Sequence, residues 1–193
     1  MNKVKVLIQG YAKEIENGWL ASSTVTLVRA NDKNIIVDPG CNRKRLLEEL
    51  NKNNLKPSDI NFVFLTHSHG DHALLAGIFE NAKVLTPDEI YDNDNQIEQG
   101  NKIPGTDLEI IQTPGHSSEH CSLVVPTGEG TYVVAGDVFW WMDNEEQKIE
   151  IEKEDDAHPA GADMQKLIES RKKILEIADY IIPGHGKMFK VEK

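Results

Sequence analysis

Short apolar runs rich in Val and Ile recur along the chain at 4–8, 24–28, 35–37, 62–65, 108–111, 123–125, 132–134 and 180–182. Each is bounded by Gly, Pro, Asn or Asp, the residues that end strands, so each predicts a strand. The 24–28 run alternates threonine with apolar residues, which predicts one polar face. The 62–65 run is apolar throughout, as a strand covered on both sides would be. Leu46, Leu47 and Leu50 fall three and four apart within 43–53, and Leu167, Ile168, Ile174, Leu175 and Ala178 can share one stripe within 164–178. Both segments therefore predict helices. Ser58-Asp59 and Pro87-Asp88 read as turns or helix starts. Strands outnumber helices, yet helices separate several of them, which predicts an α/β layered fold with mixed sheets.

Length and composition narrow this further. The 193 residues suit a single domain, 1–193, with an ample core. At 39% hydrophobic and 27% charged, the chain is neither disordered, collagen-like nor a disulfide scaffold. No window approaches the roughly 20 apolar residues of a membrane span. The first ten residues turn polar before a signal-peptide core could form. Cys41 and Cys121 lie in no Cys-x-x-Cys motif and read as free thiols, so a cytoplasmic location is expected. The net charge is −11, and six of those charges fall in 143–156, which holds eight acidic residues and two lysines. That segment reads as a solvated loop, or as a lid, since Trp140, Trp141 and Met142 lead into it.

The chemistry is concentrated in the histidines. Thr66-His67-Ser68-His69-Gly70-Asp71-His72 places four candidate metal ligands directly after a buried strand. In extended chain, His67 and His69 point to the same side. Gly70 permits a turn, and Asp71 and His72 can open a helix through 73–79, aimed at a neighbouring ion. Three more strands end on a turn and a ligand type: Pro114-Gly115-His116, Gly136-Asp137 and Pro183-Gly184-His185. Ligands delivered from separate strand ends are what a rigid pocket at a sheet rim requires. Imidazole and carboxylate without cysteine suit zinc, iron, manganese or cobalt. His120 reads as a loop or core hydrogen-bonding residue rather than a ligand, and His158, before Pro159, as a loop residue.

Taken in order, Asp38-Pro39-Gly40, His67-x-His69-x-Asp71-His72, His116, Asp137 and Pro183-Gly184-His185-Gly186 resemble the five motifs of the metallo-β-lactamase superfamily. The resemblance implies an αββα four-layer sandwich with the metal site at one edge of the two sheets. It implies that His67, His69 and His116 bind one metal, and that Asp71, His72 and His185 bind a second. Asp137 would bridge them, and Asp38 would orient ligands without touching metal. A carboxylate bridge, where clinical β-lactamases often carry cysteine, is more similar to the glyoxalase II, lactonase and RNA-processing branches. Gly10-Tyr11-Ala12, the 23–28 run and the ending around 178–191 resemble the smaller family called metallo-β-lactamase domain-containing protein 1, some of whose members are linked to RNA cleavage.

The resemblance implies two divalent ions, Zn2+ first, with Fe or Mn as alternatives. A bound hydroxide would form at neutral pH because coordination lowers the pKa of water toward about 7. The catalytic set is then Asp71, Asp137 and Asp38, with Asp71 able to hydrogen-bond the nucleophile. The leading expectation is hydrolysis of a small-molecule acyl substrate (lactone, thioester or β-lactam) against an apolar wall such as Trp140 and Trp141. The alternative partner is RNA, whose phosphates would need the Arg43-Lys44-Arg45 or Arg171-Lys172-Lys173 cluster. Persulfide oxidation at a single iron and a non-catalytic metal-binding domain are the other classes. The short chain suggests an open cleft, which a homodimer could complete.

Overall fold

The computed structural model describes residues 1–155 and 162–192. His158 and the end of the acidic segment lie outside the described residues. Strands β1 (Lys3–Ile8), β4 (Val25–Ala30), β5 (Lys33–Val37), β6 (Phe62–Phe64), β7 (Lys83–Leu85), β8 (Glu89–Asp92) and β9 (Asn95–Glu98) form one sheet in the order β1-β4-β5-β6-β7-β8-β9. The second sheet runs β10 (Glu109–Gln112), β11 (Cys121–Thr127), β12 (Gly130–Trp140), β13 (Tyr180–His185) and β14 (Phe189–Lys190). A separate hairpin pairs β2 (Tyr11–Ile15) with β3 (Gly18–Ser22).

Three apolar clusters make the layers. Val28, Ile35, Val37 and Phe64 of the first sheet meet Ile110, Leu123, Val125 and Ile182 of the second, so the sheets pack face to face. The outer face of the first sheet is covered by α1 (Arg43–Lys52) through Leu46 and Leu50. The outer face of the second is covered by α3 (Met164–Ile177) through Leu167 and Ile174. The architecture is therefore the αββα sandwich. Asn42 and Asp163 cap the two helices, each side chain accepting an N–H three residues on, from Arg45 and Lys166.

Mixed pairing follows from these layers. β5, β6 and β7 run parallel, as do β12 and β13, whose crossover is α3. Parallel strands under helices are buried on both faces, and Phe62–Phe64 is. The polar face expected of 24–28 is buried too. Thr26 is fully enclosed because it shares the inter-sheet face of β4 with Val28 and pairs with Val37, and the Thr24 hydroxyl accepts the Gly10 N–H at 3.0 Å. The helix expected over 73–79 is also shorter. A single turn, α2 (Gly70–Ala73), is followed by a 3-10 turn at Ala76–Ile78. Leu75 donates its N–H to Gly40 instead of continuing the helix.

Among the described residues, no helix is long and apolar enough to cross a membrane. Cys41 is half-buried and Cys121 buried, and both are free thiols. Burial, helped by the charge of Asp38, pushes the Cys121 thiol well above its usual pKa, whereas the thiolate is the reactive form. A thiol reagent at mildly alkaline pH should therefore titrate one cysteine in native protein and the second only in denaturant. Rapid native reaction of both would contradict this packing.

Candidate metal centre

The motifs reach the site from the ends of strands, except that Asp137, expected after a strand end, lies within β12 just past the register break at Gly136. After β6, Thr66 leads into His67 and His69, which stay on one side as alternation requires, with His67 Nε2 2.9 Å from His69 Nδ1. The α2 turn then presents Asp71 and His72. From β10, Pro114-Gly115 carries His116 to within 3.0 Å of His69 (Nε2 to Nδ1). Gly115 sits at φ +140°, packed so closely on the Leu167 backbone that a side chain there would overlap α3. Ser170 of α3 holds the same turn by donating to the Pro114 carbonyl at 2.7 Å.

Asp137 lies between two groups of ligands. Its Oδ2 is 3.8 Å from His67 Nε2 and 3.4 Å from His116 Nε2, while its Oδ1 is 3.2 Å from His72 Nε2 and 3.7 Å from His185 Nε2. Asp71 Oδ2 completes the second group at 3.2 Å from His185 Nε2. The structure thus brings together all seven expected ligands, as His67, His69, His116 and Asp137 in one set and Asp71, His72 and His185 in the other. The donor chemistry fits metal. His72 Nε2 and Asp137 Oδ1 are buried and 3.2 Å apart, yet misaligned, so neither has a hydrogen-bond partner. Buried polar atoms are rarely left so.

The opposite ring nitrogens are held from behind. His72 Nδ1 donates to Asp38 Oδ2 at 2.8 Å. His67 Nδ1 lies 3.0 Å from the Thr66 hydroxyl, which donates to the same Asp38 oxygen. Asp38 Oδ1 accepts the Thr66 N–H, so one carboxylate aligns both histidines from a site where it is 1% exposed. His185 Nδ1 donates to the Tyr11 carbonyl at 3.0 Å, which ties the β2–β3 hairpin to the centre. Burial opposes charge on His72, but Asp137 and Asp38 outweigh it and hold its pKa well above the ordinary value. Burial also opposes the charge of Asp137, but the surrounding histidines, His72 foremost, hold its carboxyl well below the usual range.

His120 is not among the ligands. Its Nε2 accepts the Asp137 N–H at 3.2 Å, and its Nδ1 faces Thr113 Oγ1 at 3.0 Å. Thr113 joins Ser122, which donates to the Ala135 carbonyl, so the chain of bonds closes around Gly136, at φ +52°. Burial, then the charge of His116, lowers the His120 pKa to about 3, so it serves this network as a neutral ring.

Above the ligands lies a cavity of about 340 Å³, whose apolar wall is Ala12, Trp19, Ala21 and Trp140. Trp140 stands edge-on to His185. Trp141 is not brought to the site. Successive residues of a strand face opposite ways, and Trp141 packs with Phe139 and Phe189 under α3. The sequence reading missed Trp19, which lies on a hairpin with no clean alternation, and Asp155, whose carboxylate lies 2.6 Å from His116 Nδ1.

The profile described as Metallo-beta-lactamase superfamily matches residues 18–87. Metallo-beta-lactamase domain-containing protein 1 of Xenopus laevis is 34% identical over 204 residues, spanning 100% of this chain and 83% of that protein. Two solved structures share the fold. AidC, a dizinc quorum-quenching lactonase in complex with a product, has a TM-score of 0.63 at 17% identity, over 87% of this chain and 74% of that one. TTHA1623 in a di-iron-bound form has 0.59 at 20%, over 89% and 92%. The chain belongs to the metallo-β-lactamase superfamily, as a metal-dependent hydrolase with a candidate His/Asp metal site.

The close packing around Asp137 is testable. A Cβ on Gly184 would overlap Asp137 Oδ1, so Gly184→Ala should displace the carboxylate shared by the two sets. Metal analysis after loading should find the content reduced by about half or more with circular dichroism unchanged. Full wild-type content would rule out Asp137 as the shared group.

Proposed function

We propose that the protein is a dinuclear hydrolase, zinc-loaded by preference, acting on an uncharged acyl substrate such as a lactone, thioester or β-lactam. The observation that carries this reading is the cavity. Five of the seven candidate ligands, His69, Asp71, His116, Asp137 and His185, line its floor with His67 and His72 buried beneath, its wall is apolar, and no lysine or arginine stands among its described lining residues. His67, His69 and His116 would hold one ion and Asp71, His72 and His185 the other, with Asp137 offering an oxygen to each. Such ions, when bound, supply Lewis acidity toward the substrate oxygen and a water of lowered pKa.

The chain's own residues supply the rest. Asp71 is the more open carboxylate, its side chain 27% exposed against 7% for Asp137, and it can take a hydrogen bond from a water at the cavity floor. Asp38 keeps His67 and His72 aimed inward and does not touch substrate. Trp140 on one side and Trp19 on the hairpin opposite exclude water from the acyl group.

Zinc suits a nitrogen and oxygen donor set, though the same donors also take iron; AidC and TTHA1623 exemplify both metals on this fold. RNA loses one of its expected phosphate ligands at Arg171, while Arg43, Lys44 and Arg45 stay exposed on α1 and none of them lines the cavity. Arg171, expected as a phosphate ligand, is 3% exposed and donates to the carbonyls of Val138, Ile151 and Lys153.

A single metal-quantified preparation decides between these readings. Lactone, thioester and β-lactam hydrolysis would be assayed beside cleavage of single-stranded RNA and oxygen uptake with a persulfide. The expected result is about two zinc ions per chain and acyl turnover that chelator reduces at least tenfold. RNA cleavage faster than every acyl reaction, or one iron with oxygen uptake, would overturn the proposal.

A further inference from the structure

The segment 143–155 has so far been only an acidic stretch following Trp141. It returns to the end of β12 through Lys153 and then places a carboxylate, Asp155, buried against a ligand. Asp155 is 3% exposed. Its Oδ2 lies 2.6 Å from His116 Nδ1, and its Oδ1 accepts the indole N–H of Trp140 at 3.2 Å. A carboxylate with seven other acidic residues in 143–156 would ordinarily stay in water, since burying a charge is costly unless it is paired and hydrogen-bonded.

Two cations hold the segment in place. Arg171, reaching from α3, donates Nη1 to the carbonyls of Ile151 at 2.8 Å and Lys153 at 2.6 Å, and Nε to Val138 at 3.0 Å. Lys153 bonds the Trp140 carbonyl and Glu145, and its ammonium lies 5.0 Å from the centre of the Trp140 ring. The strap is thus fastened to α3 and to β12 immediately before Asp155 enters the site.

We infer that Asp155 is a positioning residue for the first metal set, fixing His116 as a ligand and Trp140 as a wall through one carboxylate. The inference rests on the metal reading above. A proton held on Nδ1 leaves Nε2 bare, and Nε2 is the atom that His116 turns toward His69 and Asp137. Asp155 does for His116 what Asp38 does for His72, but from a different part of the chain. Because the same carboxylate also grips Trp140, the position of a ligand and the shape of the acyl wall are mechanically linked.

The full chain tests this with zinc alone as probe. Asp155→Ala should weaken one of two zinc sites by about 10- to 100-fold in competition against a chelator, leaving the other within about threefold. Asp155→Asn keeps size but has one acceptor oxygen for two donors, so it should fall between. The Nδ1 proton resonance of His116 should be protected from exchange in wild type, weakened in Asp155→Asn and lost in Asp155→Ala. Equal zinc affinities in all three proteins, with the resonance retained, would overturn the role of Asp155 alone. A wild type that binds no zinc, nor any other divalent ion, would overturn the metal reading and this inference with it.

Discussion

An imidazole offers a lone pair from one ring nitrogen only if the other keeps its proton, and four histidines of this site are turned inward under that constraint. The Nδ1 atoms of His67, His72, His116 and His185 face Thr66, Asp38, Asp155 and the Tyr11 carbonyl, respectively. Each acceptor comes from a different element: the end of β6, the loop after β5, the strap and the hairpin. Burying carboxylates is unfavourable unless their acceptor capacity is used. Asp38 uses most of it, taking the Thr66 N–H, the Thr66 hydroxyl and His72. It does so at φ +49°, a strained backbone for aspartate, held by an N–H bond to the Phe64 carbonyl and a Ser23 hydroxyl on its own carbonyl.

The sandwich makes this convergence rigid. Strands β5 and β6 deliver Asp38 and His67 from one sheet, while β12 and β13 deliver Asp137 and His185 from the other. The sheets can close on a common point only because glycines stand where their backbones approach. Gly184 leaves room for the Asp137 carboxylate, and Gly136 turns β12 sharply beside Thr66 and His120. The neutral His120 then fixes that turn through its amide bond to Asp137.

Much of this could be read from residue order, because the strands that carry ligands are apolar and end on Gly, Pro or Asp. The αββα layers follow from the same runs. What escaped reading lacks such a pattern. Strand β9, Asn95–Glu98, is exposed along its whole length, and only the Asn93-Asp94 turn, with Asn93 at φ +53°, marks the hairpin. The threonines of 24–28 predict a polar face, but Thr26 lies between the sheets beside Val28 and Val37 and is enclosed there. Asp155 was submerged in a run of like charges, where composition predicts solvent. Its contacts with His116 and Trp140 distinguish it from its neighbours, and they span 39 and 15 residues. Trp140 and Trp141 look alike in sequence, and strand alternation separates them.

The placement of the cations bears most directly on substrate choice. A phosphodiester site on this fold would need positive groups beyond the metals, since phosphate contacts dominate nucleic-acid affinity. Here Arg171 and Lys153 point inward as struts and spend their donors on backbone carbonyls, on Glu145 and on the Trp140 ring. In doing so they draw an acidic strap toward the metal centre, which adds negative potential at its border. Electrostatics and packing therefore act in the same direction: Arg171 and Lys153 are unavailable for a polyanion, and the carboxylate they help to seat behind His116 adds negative charge next to a ligand. That leaves the apolar surface between Trp19 and Trp140 as the part of the cavity able to discriminate substrates, and an apolar surface discriminates by the size and shape of an uncharged acyl group.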